Sequence, residues 1–264
     1  MKSTEQKQKW NKYRQGLVQS FRKLEDPRDW TMPFAPWCGK EYWNAKTRIL
    51  FVGKSVGAFN DPDAEDWKIP LSEWQNARNR KNPSSVTDQY IHKVATFEPG
   101  KHAFWTVPLL LTGAFASRDL RPAQLVQTFV WSNLYKINSC EKEGLPSADL
   151  KCRGQNKREG KCDKKFCLFH FSLKSLLAEI EILEPHFVFL GTGPEWARIA
   201  KARSLDPKGE RAALPLKLSD TEVNGLGLSQ APRGIWVTYH FSAWNQNCCH
   251  GKLLLEMRQS LEIS

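Results

Sequence analysis

The chain has 264 residues, of which 41% are hydrophobic, and its 14 Phe and 11 Trp are ample for a packed core, which excludes a chain disordered throughout. The net charge of +11 favours a polyanionic partner over an acidic protein, although a basic protein without a nucleic-acid role has the same balance.

The N-terminal residues contain no apolar core of a signal peptide, and no run of 18 apolar residues follows. We therefore expect a cytoplasmic or nucleoid-associated protein that has no membrane partner and keeps its seven Cys reduced.

Residues 5–25 predict a helix with a basic outer face, because apolar residues recur every three or four positions before Asp26-Pro27 ends the pattern. The apolar stripe consists of Trp10, Tyr13, Leu17, Phe21 and Leu24.

Short apolar runs alternate with helical patterns along the rest of the chain. Buried strands are predicted over 48–52, 186–190 and 234–239. Helices are predicted over 104–114, 122–131, 168–183, from 194 onwards and over 250–262. This alternation predicts an α/β fold of three layers, with a central, mostly parallel sheet covered on both faces. Ligands of such sheets bind beyond the carboxyl ends of the strands, where the loops 53–61, 191–195 and 240–245 begin.

The first of these loops contains Gly-Lys-Ser at 53–55 but is not a phosphate-binding loop, because Arg48 stands where that motif requires glycine. Gly53 and Gly57 instead indicate a tight turn at which the backbone can approach a ligand. An ordinary strand-to-loop turn explains these residues equally well when they are taken alone.

Two polar residues follow apolar stretches. Asn133 comes after Phe129-Val130-Trp131, and its amide offers a donor and an acceptor side by side, as recognition of a pyrimidine edge requires. His240 follows the last predicted strand. Taken alone, Asn133 is more typical of a turn or cap residue, and His240 is more typical of a satisfied, partly buried histidine.

The order of these segments is more informative than any one of them. The glycine turn, Asn-Leu-Tyr-Lys at 133–136, Leu-Glu-Pro-His-Phe-Val-Phe-Leu-Gly at 183–191 and Tyr-His-Phe-Ser at 239–242 follow one another. Over residues 48–255 the chain resembles the uracil-DNA glycosylase superfamily. That superfamily has a Gly-x-x-Pro-Gly-like motif, a central Asn, a Leu-x-Pro-x-x-Val-x-x-Leu-Gly strand and a final His-Pro-Ser. Ser55, Val56 and Phe241 depart from these motifs, and Ser55 stands where many members place the Asp or Asn that positions the attacking water.

The resemblance implies a DNA glycosylase that hydrolyses the N-glycosidic bond of a flipped-out, damaged or modified pyrimidine and leaves an abasic site. His240 would stabilise the charge on the departing base, a role in which such a donor contributes about 3–4 kcal/mol. Asp61 is the first candidate for activating the water, with Ser55 orienting it. Asn133 would bind the base edge, Phe59 would stack on the base, and Trp244 would fill the vacated stack.

The implied contacts with the DNA backbone come from hydroxyl, amide and basic groups. Ser242 and the glycine turn, Gly53 and Gly57, would hold the flanking phosphates. The basic side chains expected at DNA are Lys54, Lys136, Lys157, Arg158 and Lys161.

Residues 140–167 form a Cys- and Lys-rich insertion in a single expected domain over 1–264, whose residues 1–28 are a helical extension. The segment contains Cys140, Cys152, Cys162 and Cys167. Four thiols in a segment without a core suggest a structural metal ion such as zinc, although spacings of 11, 9 and 4 residues match no standard zinc pattern. The resemblance adds a four-Cys iron–sulfur cluster, which some members of the superfamily hold with a Cys-x-x-Cys pair that this chain lacks. A basic loop with incidental thiols is the alternative, and the chemistry itself is expected to need no cofactor.

Two other functions stay open from the sequence. One is a nucleic-acid-binding module that keeps the fold without catalysis, and the other is an α/β enzyme that acts on nucleosides or nucleotides. For the glycosylase we expect a monomer that binds double- or single-stranded DNA, in repair or, with a bulky modified pyrimidine as substrate, in defence against phage.

Overall fold

The computed structural model describes residues 2–21, 36–55, 103–116, 120–136, 168–192 and 216–238. They fall into two compact units, each assembled from separated stretches of sequence. The first unit includes 2–21, 133–136 and 168–182, and the second includes 37–54, 103–116, 120–132, 183–192 and 216–238. The single domain expected over 1–264 stays a prediction.

The described elements make an α/β fold, as the alternation predicts. The helices are α1 (Lys2–Phe21), α2 (Ala103–Phe115), α3 (Pro122–Leu125), α4 (Leu168–Leu183) and α5 (Asp220–Asn224), with 3-10 turns at Tyr42–Asn44 and Val126–Thr128. The strands are β1 (Trp37–Cys38), β2 (Ile49–Ser55), β3 (Phe129–Tyr135), β4 (Phe187–Gly191), β5 (Leu216–Lys217) and β6 (Gly234–Val237).

The strands form one mixed sheet in the order β1-β3-β2-β4-β6-β5. The pairs β2–β4 and β4–β6 are parallel, whereas the two-residue edge strands β1 and β5 pair antiparallel with β3 and β6. The three strands predicted from apolar runs are thus confirmed.

Aromatic side chains form a ladder across the second unit. Phe51, Phe189 and Trp236 are register partners on β2, β4 and β6, and their rings stack with centroids 5.5 and 5.4 Å apart. Lys217 on β5 is the register partner of Trp236 and places its Nζ 5.5 Å from the ring centroid. All three rings are fully buried, and such stacked pairs each contribute about 0.5–1.5 kcal/mol beyond their burial.

Gly39 follows β1 at a point where two main chains nearly touch. A Cβ at this position would overlap backbone atoms of Gln127, and the Gly39 amide donates to the carbonyl of Phe129 over 3.0 Å. Only glycine therefore fits this approach.

The helix predicted over 122–131 is wrong in its second half. The α-helical turn ends at Leu125, a 3-10 turn follows, and β3 begins at Phe129 with every residue buried. The helices predicted over 104–114 and 168–183 are confirmed, while those from 194 and over 250–262 lie outside the described residues.

In the first unit, the apolar stripe of α1 is buried at Trp10 and Leu17, which confirms the predicted helix. The ring of Trp10 stacks on that of Tyr13, with centroids 5.5 Å apart. On α4 of the same unit, Leu176 and Ile180 are buried.

Candidate functional site

Three parallel strands of the second unit end side by side. Gly53 of β2 is the register partner of Gly191 of β4, and Leu190 is the partner of Val237 on β6. The amide of Thr238 donates to the carbonyl of Leu190 over 2.9 Å, which fixes the end of β6 against β4. We define the carboxyl edge as Gly53, Gly191, Thr192, Val237 and Thr238, because ligands of parallel sheets bind beyond this end.

Two paired glycines give the carboxyl edge its shape. Gly53 and Gly191 are both buried and have no side chain that would hold a ligand away from the main chain. Backbone amides and carbonyls can therefore come close to a bound group here.

Thr192 adds a polar group that the sequence analysis missed. Its side chain is 5% exposed, and its hydroxyl has no hydrogen-bond partner among the described residues. A buried hydroxyl left in this state costs about 1–3 kcal/mol, which a ligand at the edge would recover by bonding it. The signal in the sequence was its position directly after Leu-Gly, at the start of a loop already assigned to the site.

A second region contains Asn133, which is buried in β3, and Lys136, which directly follows the strand. The Lys136 ammonium donates to the main-chain oxygen of Asn133 and lies 2.9 and 3.1 Å from the two carboxylate oxygens of Glu179 on α4. Both charged side chains are 0% exposed. The phosphate contact predicted for Lys136 is therefore wrong, because its charge is committed to a buried ion pair.

Tyr13 of α1 completes this cluster within the first unit. Its hydroxyl lies 2.8 Å from Oε1 of Glu179 and 3.1 Å from the carbonyl oxygen of Ser175, so its proton is shared between two acceptors. Burial and the Glu179 carboxylate raise the pKa of Tyr13 far above its usual value near 10. Burial lowers the pKa of Lys136, although the Glu179 carboxylate favours the ammonium form.

Most of the predicted site lies outside the described residues. Gly53 lies at the carboxyl edge, while Lys54 and Ser55 are the last two residues of β2. Outside the described residues are Gly57, Phe59, Asp61, Lys157, Arg158, Lys161, His240, Ser242 and Trp244. In the sequence, His240 comes two residues after Thr238, which closes β6.

No family model matches the chain, and no curated protein matches it.

Neither a metal-binding cluster nor a membrane-spanning helix is found among the described residues. No three of their His, Cys, Asp or Glu side chains are grouped closely enough to hold a metal ion, and the four Cys of 140–167 are not among them. None of the helices in the described ranges combines the length and apolar character of a membrane span.

The second unit also contains a depression of about 170 Å³, next to the residues that precede β2. Lys46 and Thr47, which precede β2, line it together with Thr112 and Thr128. The hydroxyl of Thr112 already donates to the carbonyl of Pro108, and that of Thr128 donates to the carbonyl of Leu125. The carboxyl edge, with its unbonded hydroxyl, is the better candidate for a ligand site.

Proposed function

We propose that this chain is a DNA glycosylase with a three-layer, uracil-DNA-glycosylase-like fold. It would hydrolyse the N-glycosidic bond of a flipped-out modified or damaged pyrimidine and leave an abasic site. The carboxyl edge carries the proposal, because Gly53 faces Gly191 there and Thr192 has an unbonded hydroxyl. The loops 53–61 and 240–245, which contain the glycine turn and His-Phe-Ser, follow β2 and β6 in the sequence, and the loop 191–195 follows β4.

The proposed reaction needs a donor for the leaving base and an acceptor for a proton of the water. When the glycosidic bond breaks, its electron pair leaves with the base and the sugar becomes an oxocarbenium ion. His240 would donate a hydrogen bond to the charged base, and the oxygen of water would bond to C1′ of the sugar. Asp61 would take the proton of that water, and Ser55 would orient it.

Other residues would hold the substrate. Asn133, buried in β3, would bond the base edge, Phe59 would stack on the base, and Trp244 would fill the gap in the duplex. Thr192 and Ser242 are proposed contacts to phosphate or sugar. The net charge of +11 supports a DNA partner, with further phosphate contacts at Lys54, Lys157, Arg158 and Lys161.

A screen of oligonucleotides that contain deaminated and modified bases tests the proposal, with abasic-site formation as the readout. We expect release of at least one base, and His240→Ala should slow it about 100-fold or more. His186→Asn is the matched control. His186 directly precedes β4, at the end of that strand opposite to the carboxyl edge. Base release by His240→Ala at the parent rate would exclude the assigned role.

Ser55, at the end of β2, favours a second candidate, a DNA-binding module without catalysis, because serine is no base at neutral pH. DNA binding that weakens steeply with salt, without release of any base, would support this module. Turnover of nucleosides without affinity for DNA would instead indicate a nucleoside-acting enzyme. Metal analysis of the purified protein tests for the proposed zinc ion or iron–sulfur cluster at the four Cys of 140–167.

A further inference from the structure

We propose that Lys136 is a positioning residue, which holds the main chain of Asn133 in place and is itself held by Glu179 and Tyr13. The proposal rests on the proposed function, because it assigns Asn133 to the base edge. It adds a determinant of base selectivity that touches neither the base nor the DNA.

The geometry of the cluster supports this role. The Lys136 ammonium has three acceptors within reach, the carbonyl oxygen of Asn133 and both carboxylate oxygens of Glu179. Glu179 in turn accepts from Tyr13, at 2.8 Å. The main chain at Asn133 is thus connected to α4 through the fully buried Lys136 and Glu179, and from Glu179 to α1 through the partly buried Tyr13.

Stability alone does not explain this arrangement. Burial of a Lys–Glu pair is costly, and an apolar pair of similar volume serves a core equally well or better. The ion pair does what two apolar side chains would not, because the ammonium bonds directly to a main-chain oxygen.

The main chain of Asn133 matters because its Cα–Cβ direction determines where the amide group points. A binding group must stay within about 0.5 Å of its productive position to discriminate between ligands. Loss of one base-edge contact changes discrimination about tenfold or more. We therefore expect loss of the cluster to lower base selectivity.

The role also includes α1. Tyr13 comes from this helix, so the N-terminal segment, expected from the sequence to be an extension, contributes to the support of the site.

The test uses the full chain with Lys136→Met/Glu179→Leu, which replaces the ion pair by an apolar pair. Tyr13→Phe removes only the hydroxyl. Ser172→Ala is the control, because Ser172 lies on α4 about one turn before Ser175 and its buried hydroxyl bonds no group in the described part of the chain. The readouts are kcat/KM for the preferred and the next-best base, DNA affinity, and amide hydrogen exchange at 133–136.

For the paired variant we expect a melting temperature at or above that of the parent, at least about tenfold lower base selectivity, and unchanged DNA affinity. Tyr13→Phe should shift selectivity in the same direction by about threefold, since one neutral hydrogen bond is lost. A folded paired variant with parental selectivity would overturn the proposal.

If the parent releases no base, the proposed function fails, and hydrogen exchange still tests the positioning. Exchange at Asn133 and its neighbours should then be about tenfold faster in the paired variant, as expected when a bond of over 1 kcal/mol to a charged donor is lost. Exchange equal to that of the parent would refute the role of Lys136.

Discussion

The amide of Arg48 donates a hydrogen bond to Nδ1 of His186 over 3.2 Å, where β2 and β4 begin. The bond requires an unprotonated Nδ1. Burial lowers the pKa of His186, and the nearby Arg48 and Arg233 charges lower it further. The arrangement therefore favours the neutral imidazole and makes the start of the sheet sensitive to acid.

As the pH falls below 6.5, His186 takes up a proton in the unfolded chain before it does so in the folded chain. Its contribution to the stability of the folded chain is therefore present above pH 6.5 and is lost as the pH falls through the lowered pKa. His186→Asn keeps an acceptor near the Nδ1 position and does not titrate. We expect its urea midpoint to fall less than that of the parent between pH 7 and pH 5. Parallel curves for the two proteins would contradict this assignment.

Gly39→Ala should be strongly destabilising, because the new Cβ would overlap the backbone of Gln127, whose carbonyl oxygen is held by a hydrogen bond from the Glu41 amide. The expected loss is about 1–3 kcal/mol, measured by urea unfolding. Gly113→Ala in α2 is the control, because its Cβ would sit 3.6 Å from Leu125 Cδ1, an ordinary contact. That helical change should be neutral or stabilising by about 0.5–1 kcal/mol, and equal losses at both positions would rule out the close approach at Gly39.

The ion pair should be strongly non-additive. Lys136→Met or Glu179→Leu alone removes the opposite charge from a fully buried partner, and each should cost about 3–5 kcal/mol of unfolding free energy. The paired change should cost far less than the sum of the two, or raise stability. A thermodynamic cycle from denaturant unfolding measures this coupling, and additive losses would show that the two side chains do not interact.

Thr192→Val should separate stability from ligand binding. Because the hydroxyl is buried and no described residue bonds it, its removal should leave unfolding free energy unchanged or raise it by about 1 kcal/mol. DNA affinity should fall about threefold to tenfold if the hydroxyl bonds a phosphate or sugar, as one neutral hydrogen bond implies. Ser172→Ala removes another buried, unbonded hydroxyl and should leave DNA affinity unchanged. Parental affinity of Thr192→Val would remove Thr192 from the proposed site.

The central strands were predictable because their patterns are local. β2, β4 and β6 are short apolar runs buried on both faces, and their bounds lie within three residues of the predicted ones. β3 was harder to predict from the sequence, because helix-forming residues at 122–128 run directly into it. Its start depends on pairing with β1 and on the burial of Phe129. The edge strands β1 and β5, of two residues each, are too short for any periodicity.

The start of α5 could be predicted from the sequence, whereas the burial of Lys136 could not. α5 begins with a capping box, in which Ser219 and Glu222 bond each other's backbone amides, and this Ser-x-x-Glu spacing is readable in the sequence. The burial of Lys136 was not readable, because its partner Glu179 comes 43 residues later and lysines are nearly always at the surface.

The contact between Tyr13 and Glu179 joins residues 166 positions apart. During synthesis at about 5–20 residues per second, the ribosome needs roughly 10–30 s to add the chain between them. Throughout that time α1 has no α4 to pack against, and the side chains of Trp10 and Leu17, buried in the finished protein, are open to other apolar surfaces. The nascent N-terminal helix is therefore the part of this protein that we expect to depend most on chaperones.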